Sequence, residues 1–344
     1  MSQYNYETFA QNVYDNFSDN NIHKNWMNFE KLWKQEKGEG IVKENSYIDL
    51  VNINDTSNIN KKKCLVIKAS GDDYKLNEPK GLKDRSSKRV GGGVKSKHLM
   101  GPGEYNLRVR FSPFDSVCNA LWLFNYLELE SDDYRHPKNP NLCQDNDVDN
   151  IAIYNPEIDF ESISNNKCRC NIFRSTNGAY KETNIDLSKL DIEIHDKKWH
   201  NLKYIWNTDL VLVKDIIGRE LNNEELVINK ENIYINNIKS KKYDKLNGMP
   251  VFKSIKNNNN YCIYYGKSIK ILIDDKKIYE YEIKNVNMDS ILKNPIPVAL
   301  SHFYIALWFP NFIKKNPDFH HTTLAVDTFE YKYNGDPFIR LNTE

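Results

Sequence analysis

The strongest constraint on this chain is a step of two. Tyr105, Leu107, Val109 and Phe111 are apolar, and Glu104, Asn106, Arg108 and Arg110 alternate with them. A strand turns successive side chains to opposite faces, so this stretch reads as a strand with one face in a core. Residues 121–129 alternate as well: Leu121, Leu123, Leu127 and Leu129 on one side, Trp122, Phe124, Tyr126 and Glu128 on the other. Either that strand is buried on both faces, or its aromatic row meets a ligand or a loop. Strands are also read at 40–51, 63–69, 168–173, 199–206, 269–273, 277–283, 303–309 and 324–333, with a hairpin turn at Asp274-Asp275-Lys276. Convincing helices are few and no strand–helix–strand rhythm appears. The expected class is therefore all-β, a two-sheet antiparallel sandwich.

One strand stands apart. In Glu157-Ile158-Asp159-Phe160-Glu161 three carboxylates share one face and two apolar residues the other. A half-exposed strand also alternates, but it seldom stacks three like charges with no Lys or Arg among them. Such crowding pushes carboxyl pKa values apart, which an active site can use. Two readings stand at this point, a catalytic strand and an acidic strand facing solvent.

Other patterns mostly exclude functions. The 48 basic and 47 acidic residues leave a formal net charge of +1, which argues against a general nucleic-acid binder. Gly91-Gly92-Gly93 lacks the Lys-Ser/Thr that closes a phosphate loop and leads into a strand, so close backbone approach or a turn is expected. Asp145, Asp147 and Asp149 have the spacing of a calcium loop without its Gly and closing Glu, and read as part of a solvated loop over 130–153. Cys64, Cys118, Cys143, Cys168, Cys170 and Cys262 are too loosely spaced for a disulfide framework and read as buried thiols. No signal peptide is read at the N-terminus, and the apolar run 298–309 is too short to span a bilayer. No membrane association is expected. Cytoplasmic synthesis is, and release or packaging in a particle is compatible with it.

Taken in order, these segments resemble glycoside hydrolase family 16. Glu157-Ile158-Asp159-Phe160-Glu161 matches the family's Glu-x-Asp-x-Glu strand in its unbulged form. Gly93-Val94-Lys95-Ser96-Lys97 with Gly103 to Val109 resembles the family's Lys- and Arg-bearing strand, with Asn106 where Glu is common. Ala120-Leu121-Trp122-Leu123, Asn171-Ile172-Phe173 and Trp199 to Trp206 resemble the segments that flank the acids. Ile271 to Asp275, Leu307-Trp308 and Val326 to Tyr331 resemble its closing strands, with Asp275 in place of a turn Gly.

The resemblance implies a concanavalin A-like jelly roll with a concave substrate cleft, one domain over residues 1–344 with an insertion at 209–268. It implies a retaining endo-β-glycanase acting on a β-glucan-type polysaccharide, with a transglycosylase of the same mechanism as the alternative. A non-catalytic carbohydrate-binding or structural sandwich is the rival from another class. By the resemblance Glu157 is the nucleophile, Glu161 the acid and base, and Asp159 the group that orients Glu157. Trp122, Arg108, Asn106, Asn171, Phe173, His200 and Trp308 are the expected substrate contacts. No cofactor is expected, and Asp327 is the candidate ligand if a structural calcium is held. A monomer is expected.

Overall fold

The computed structural model describes residues 9–19, 21–30, 40–55, 59–71, 89–129, 144–146, 151–164, 166–174, 179–229, 232–254 and 260–335. The chain is nearly all-β, a jelly roll of two stacked, mainly antiparallel layers. The layer that holds the acids runs, in hydrogen-bonded order, Tyr180–Asp186, Lys167–Phe173, Glu157–Ser164, Cys118–Phe124, His302–Trp308, Val90–Ser96 and Trp26–Asn28. The opposite layer runs Ser46–Asn52, Lys61–Ser70, His321–Tyr333, Gly103–Arg110, His200–Leu212, Asn260–Ile273 and Lys276–Glu282. The two layers join at one corner, where Val90 meets Ser70 and, in a short parallel bridge, Gly40.

The period of two explains the packing between them. Leu121, Leu123, Ile158, Phe160, Cys168, Cys170, Ile172, Phe303 and Ile305 point inward from the first layer. Tyr105, Leu107, Val109, Leu202, Tyr204, Trp206, Phe329 and Tyr331 meet them from the second. The Tyr105 and Phe303 rings stack across the gap at 5.6 Å. Tyr204 Oη donates to the Leu121 carbonyl oxygen at 2.6 Å, and Trp206 Nε1 to that of Pro297 at 3.0 Å, so these large inward residues also satisfy their polar ends. Cys64, Cys118, Cys168, Cys170 and Cys262 are buried free thiols, and Cys143 lies outside the described residues.

The three glycines lie inside the strand Val90–Ser96, where neighbouring backbone comes close. A Cβ on Gly91 would stand 2.1 Å from the Leu307 carbonyl oxygen, and one on Gly92 2.4 Å from that of Asn45. Their role is close approach, as the missing Lys-Ser/Thr implied.

Two stretches are more regular than their sequence suggests. Residues 130–153, expected as loop, contain Gln144–Asn146 and most of Ile151–Tyr154, and the latter strand pairs with both Gln144–Asn146 and Leu127–Leu129. Asp145 lies in the first of these strands, while Asp147 and Asp149 lie outside the described residues. Residues 209–268, expected as a less regular insertion with some local structure, begin and end as extensions of the paired strands His200–Leu212 and Asn260–Ile273. A register shift at Asn207/Thr208 marks where the extension starts. Beyond it Val213, Ile217, Ile235, Leu246, Val251, Ile263 and Ile291 form a second, small core. Ile291 comes from the short helix Met288–Leu292, whose last carbonyls accept from the buried Arg174 guanidinium. Among the described residues no helix is long and apolar enough to cross a membrane.

The hairpin turn carries a testable cost. Asp274 and Asp275 have φ of 50° and 62°, the two left-handed central residues of a type I′ turn. Asp tolerates that region less well than Gly does. Asp275→Gly is expected to stabilise the fold by about 0.5–1 kcal/mol, read as a higher urea midpoint with an unchanged slope. Asp274 has a second task, because Oδ1 accepts from the Asn201 N–H at 2.8 Å and Oδ2 bonds His200.

Candidate active site

The acids sit on the third strand of their layer, so floor extends on both sides of them. Ile158 and Phe160 are wholly buried in the core, and this fixes Glu157, Asp159 and Glu161 on the outer face. In-register neighbours share a face, and pairing lays the floor out in rows across the strands. One row is Phe173, Glu157, Phe124 and His302; the next is Asn171, Asp159, Trp122, Tyr304 and Lys95. The third is Arg169, Glu161, Ala120, Ala306 and Gly93.

The middle row sets the chemistry. Asp159 is buried, and burial pushes its carboxyl well above the usual range. The charges of Glu157 and Glu161 push the same way, as does a hydrogen bond to Glu157; the Asn171 amide pulls back. These effects favour the protonated form of Asp159, in which it can donate to Glu157. Asp159 Oδ1 and Asn171 Oδ1 are buried and accept no hydrogen bond among the described residues. Beside them the Trp122 and Tyr304 rings stack at 4.8 Å and 20°. Phe29 stands edge-on to both, over Gly93, where a Cβ would meet its ring at 2.6 Å.

The third row has small, buried residues at Ala120, Ala306 and Gly93. Arg169 flanks Glu161 there, with Nε donating to Asn184 Oδ1 at 3.4 Å and its guanidinium 4.6 Å over the Phe312 ring. Trp308 stands in register with Cys118 beyond this row and packs on Phe312 and Ile313.

The structure thus brings Trp122, Asn171, Phe173 and Trp308 to the acids' face, and it separates three other expected contacts from it. Asn106 and Arg108 lie on the opposite layer and point out of its far side, since Tyr105, Leu107 and Val109 fill the core between. Arg108 is occupied there: Nη1 pairs with Asp327 at 2.7 Å, Nη2 donates to the Ile53 carbonyl, and the guanidinium lies 5.0 Å over Trp199. His200 is buried at one end of the same layer, with Nδ1 2.7 Å from Asp274 and Nε2 3.0 Å from Asp196. It ties a hairpin turn to a loop. Tyr304, Arg169 and Phe29 are floor residues that the sequence reading did not select.

Asp327 does not suit a calcium ion. Its buried carboxylate already meets Lys62 Nζ at 2.7 Å through Oδ1 and Arg108 Nη1 at 2.7 Å through Oδ2, and two cations repel a third. Among the described residues no group of three or more His, Cys, Asp or Glu is placed to hold a metal.

The raised Asp159 carboxyl makes stability depend on pH. A folded-state pKa above the unfolded value gives stability that is complete below about pH 4 and is lost as pH rises through the folded value. Asparagine cannot ionise and keeps a donor for Glu157. Asp159→Asn is therefore expected to raise Tm relative to the unaltered protein, with a gap that widens from pH 5 to pH 9, while activity falls. A gap that stays constant over that range would contradict the protonated Asp159.

No protein-family profile matches the chain, and no curated protein matches it. Solved structures do. A β-glucanase from Bacillus licheniformis aligns over 94% of this chain and 99% of its own at 10% identity, with a TM-score of 0.51. The catalytic domain of a laminarinase from Thermotoga maritima MSB8 aligns over 95% and 100% at 11% identity, with a TM-score of 0.52. A glycoside hydrolase family 16 endo-glucanase from Bacteroides ovatus, in complex with G4G3G-2F-DNP, aligns over 93% and 99% at 10% identity, with a TM-score of 0.51. The chain has the β-jelly-roll fold of these glucanases.

Proposed function

We propose that this chain is a retaining endo-β-glycanase that cleaves a β-glucan-type polysaccharide. The observation that carries the reading is the middle row: a buried Asp159 whose carboxyl is pushed well above the usual range between Glu157 and Glu161, beside the stacked Trp122 and Tyr304. A structural sandwich gains nothing from a buried carboxyl among like charges. Three acids with distinct surroundings suit a reaction that needs one carboxylate and one carboxylic acid. The glucanase fold supports the same reading.

In this mechanism the Glu157 carboxylate attacks the anomeric carbon, and the bond to the leaving oxygen breaks. Glu161 gives that oxygen its proton, leaving a glycosyl ester on Glu157. Glu161, now a carboxylate, takes a proton from water, whose oxygen attacks the same carbon and returns Glu157 as a carboxylate. Two inversions retain the β configuration. The outcome requires carboxyl groups about 5–5.5 Å apart, so the two Glu side chains, about 13 Å apart at Cα along the strand, must lean toward each other over Asp159. Trp122 and Tyr304 take the apolar face of a ring. Residues 1–344 act in this scheme as one catalytic unit, with 209–268 as an appendage.

Incubation with mixed-linkage, β-1,3- and β-1,4-glucans and with galactans tests the proposal. New reducing ends that appear first as the β anomer by proton NMR are expected. Longer transfer products would mark the transglycosylase alternative. Neither product from any polymer would overturn the reading.

A further inference from the structure

The row that holds Glu157 continues beyond the floor so far described. Phe173 stands in register with Glu157, and Tyr180 stands in register with Phe173 on the outermost strand of that side. The two rings are 5.8 Å apart and within 17° of parallel. Tyr180 is nevertheless 60% exposed. Neighbouring strands are spaced by about 4.7–4.9 Å, so Tyr180 lies about 10 Å from the Glu157 strand, measured across the strands. A glycan lying across the strands runs in that direction, and an extended β-linked chain advances by roughly one strand spacing per sugar.

The chemistry of the patch matches a neutral sugar. Phe173 supports a flat ring whose other surface is open, which suits the C–H face of a β-linked pyranose. Glu182, two residues along, lies exposed on the same face of the outer strand and can accept from ring hydroxyls. The open aromatic surface also joins the cleft without a break, because Phe173 borders both.

We propose that Phe173 and Tyr180 form a distal platform that stacks one pyranose of a neutral β-linked glycan, about two sugars from the bond cut beside Glu157. The proposal rests on the glycanase reading of Glu157 and Glu161 and adds a preference for long chains. Tyr180 is not part of the core, so its replacement tests binding without unfolding the sheet.

The test compares a hexasaccharide with a trisaccharide of the best polymer substrate. Tyr180→Ala is expected to shrink the hexasaccharide's advantage in kcat/KM about 3–10-fold, the range of one ring contact. Most of that change should fall on KM, and Tyr180→Trp should restore it. Tm should stay that of the unaltered protein. Equal losses on both oligosaccharides, or none on either, would overturn the platform and leave the glycanase reading standing. Affinity electrophoresis in β-glucan gels, read for the unaltered protein and the Glu157→Gln variant, covers the other failure: no retardation in any glucan would overturn both.

Discussion

Under the proposed mechanism, Glu157→Gln is expected to lower the turnover of β-glucan by at least ~10²–10⁴, the contribution of a positioned carboxyl group, and to leave the fold intact. The two halves of that expectation have different origins. Gln has no anionic oxygen to attack the anomeric carbon, so the first step of the double displacement is lost. The stability half follows from the hydrogen bond between Asp159 and residue 157. The Gln amide oxygen can still accept that hydrogen bond, and it removes a like charge from beside Asp159 and Glu161. Tm should therefore hold or rise while reducing-end release falls. Binding of glucan should persist, since Trp122, Tyr304 and Asn171 are untouched. Activity close to that of the unaltered protein would remove Glu157 as nucleophile and the retaining mechanism with it.

The acids' face was legible because alternation fixes a face from local sequence alone. Ile158 and Phe160 against three carboxylates left one arrangement on a packed sheet. Which layer a strand joins is a different question, and alternation does not answer it. Asn106 and Arg108 form a polar row like that of Asn171 and Arg169, yet the first lines the far side of the molecule and the second the cleft. The difference lies in pairing between strands far apart in sequence, as with Arg108 and Asp327. His200 had the same ambiguity, settled by carboxylates on a loop and a distant hairpin.

Tyr304 was within reach, since it shares a face with Trp308 four residues on, but its stacking on Trp122 needed the register of His302–Trp308 against Cys118–Phe124. Phe29 follows a three-residue strand and carried no periodic signal at all. The second core was hidden for a related reason: Ile235, Leu246 and Val251 come from pieces too short to establish a period.

The largest stability effect should come from the opposite face of the same strand. Phe160 is wholly buried, with its ring 5.7 Å from that of Phe111, in register with Leu121 on one side and Cys170 on the other. Phe160→Ala removes a large side chain from between the layers, and the rigid strands on both sides cannot collapse into the space. A cost of about 3–5 kcal/mol is expected, a large part of the 5–15 kcal/mol that holds an ordinary domain together. In a thermal scan this corresponds to a fall in Tm of roughly 5–15 °C. Phe160→Leu, which keeps more of the volume, should lose about half as much. The contrast with Glu157→Gln separates the two faces of one strand: the outward change stops the chemistry and spares Tm, the inward change lowers Tm. Residual activity of Phe160→Ala well below its melting range carries further information, because Asp159 and Glu161 are its chain neighbours. A fall in kcat there, with KM held, would mean that inward packing of Phe160 sets the carboxyl positions. An unchanged kcat would mean that hydrogen bonding among the acids holds them without it.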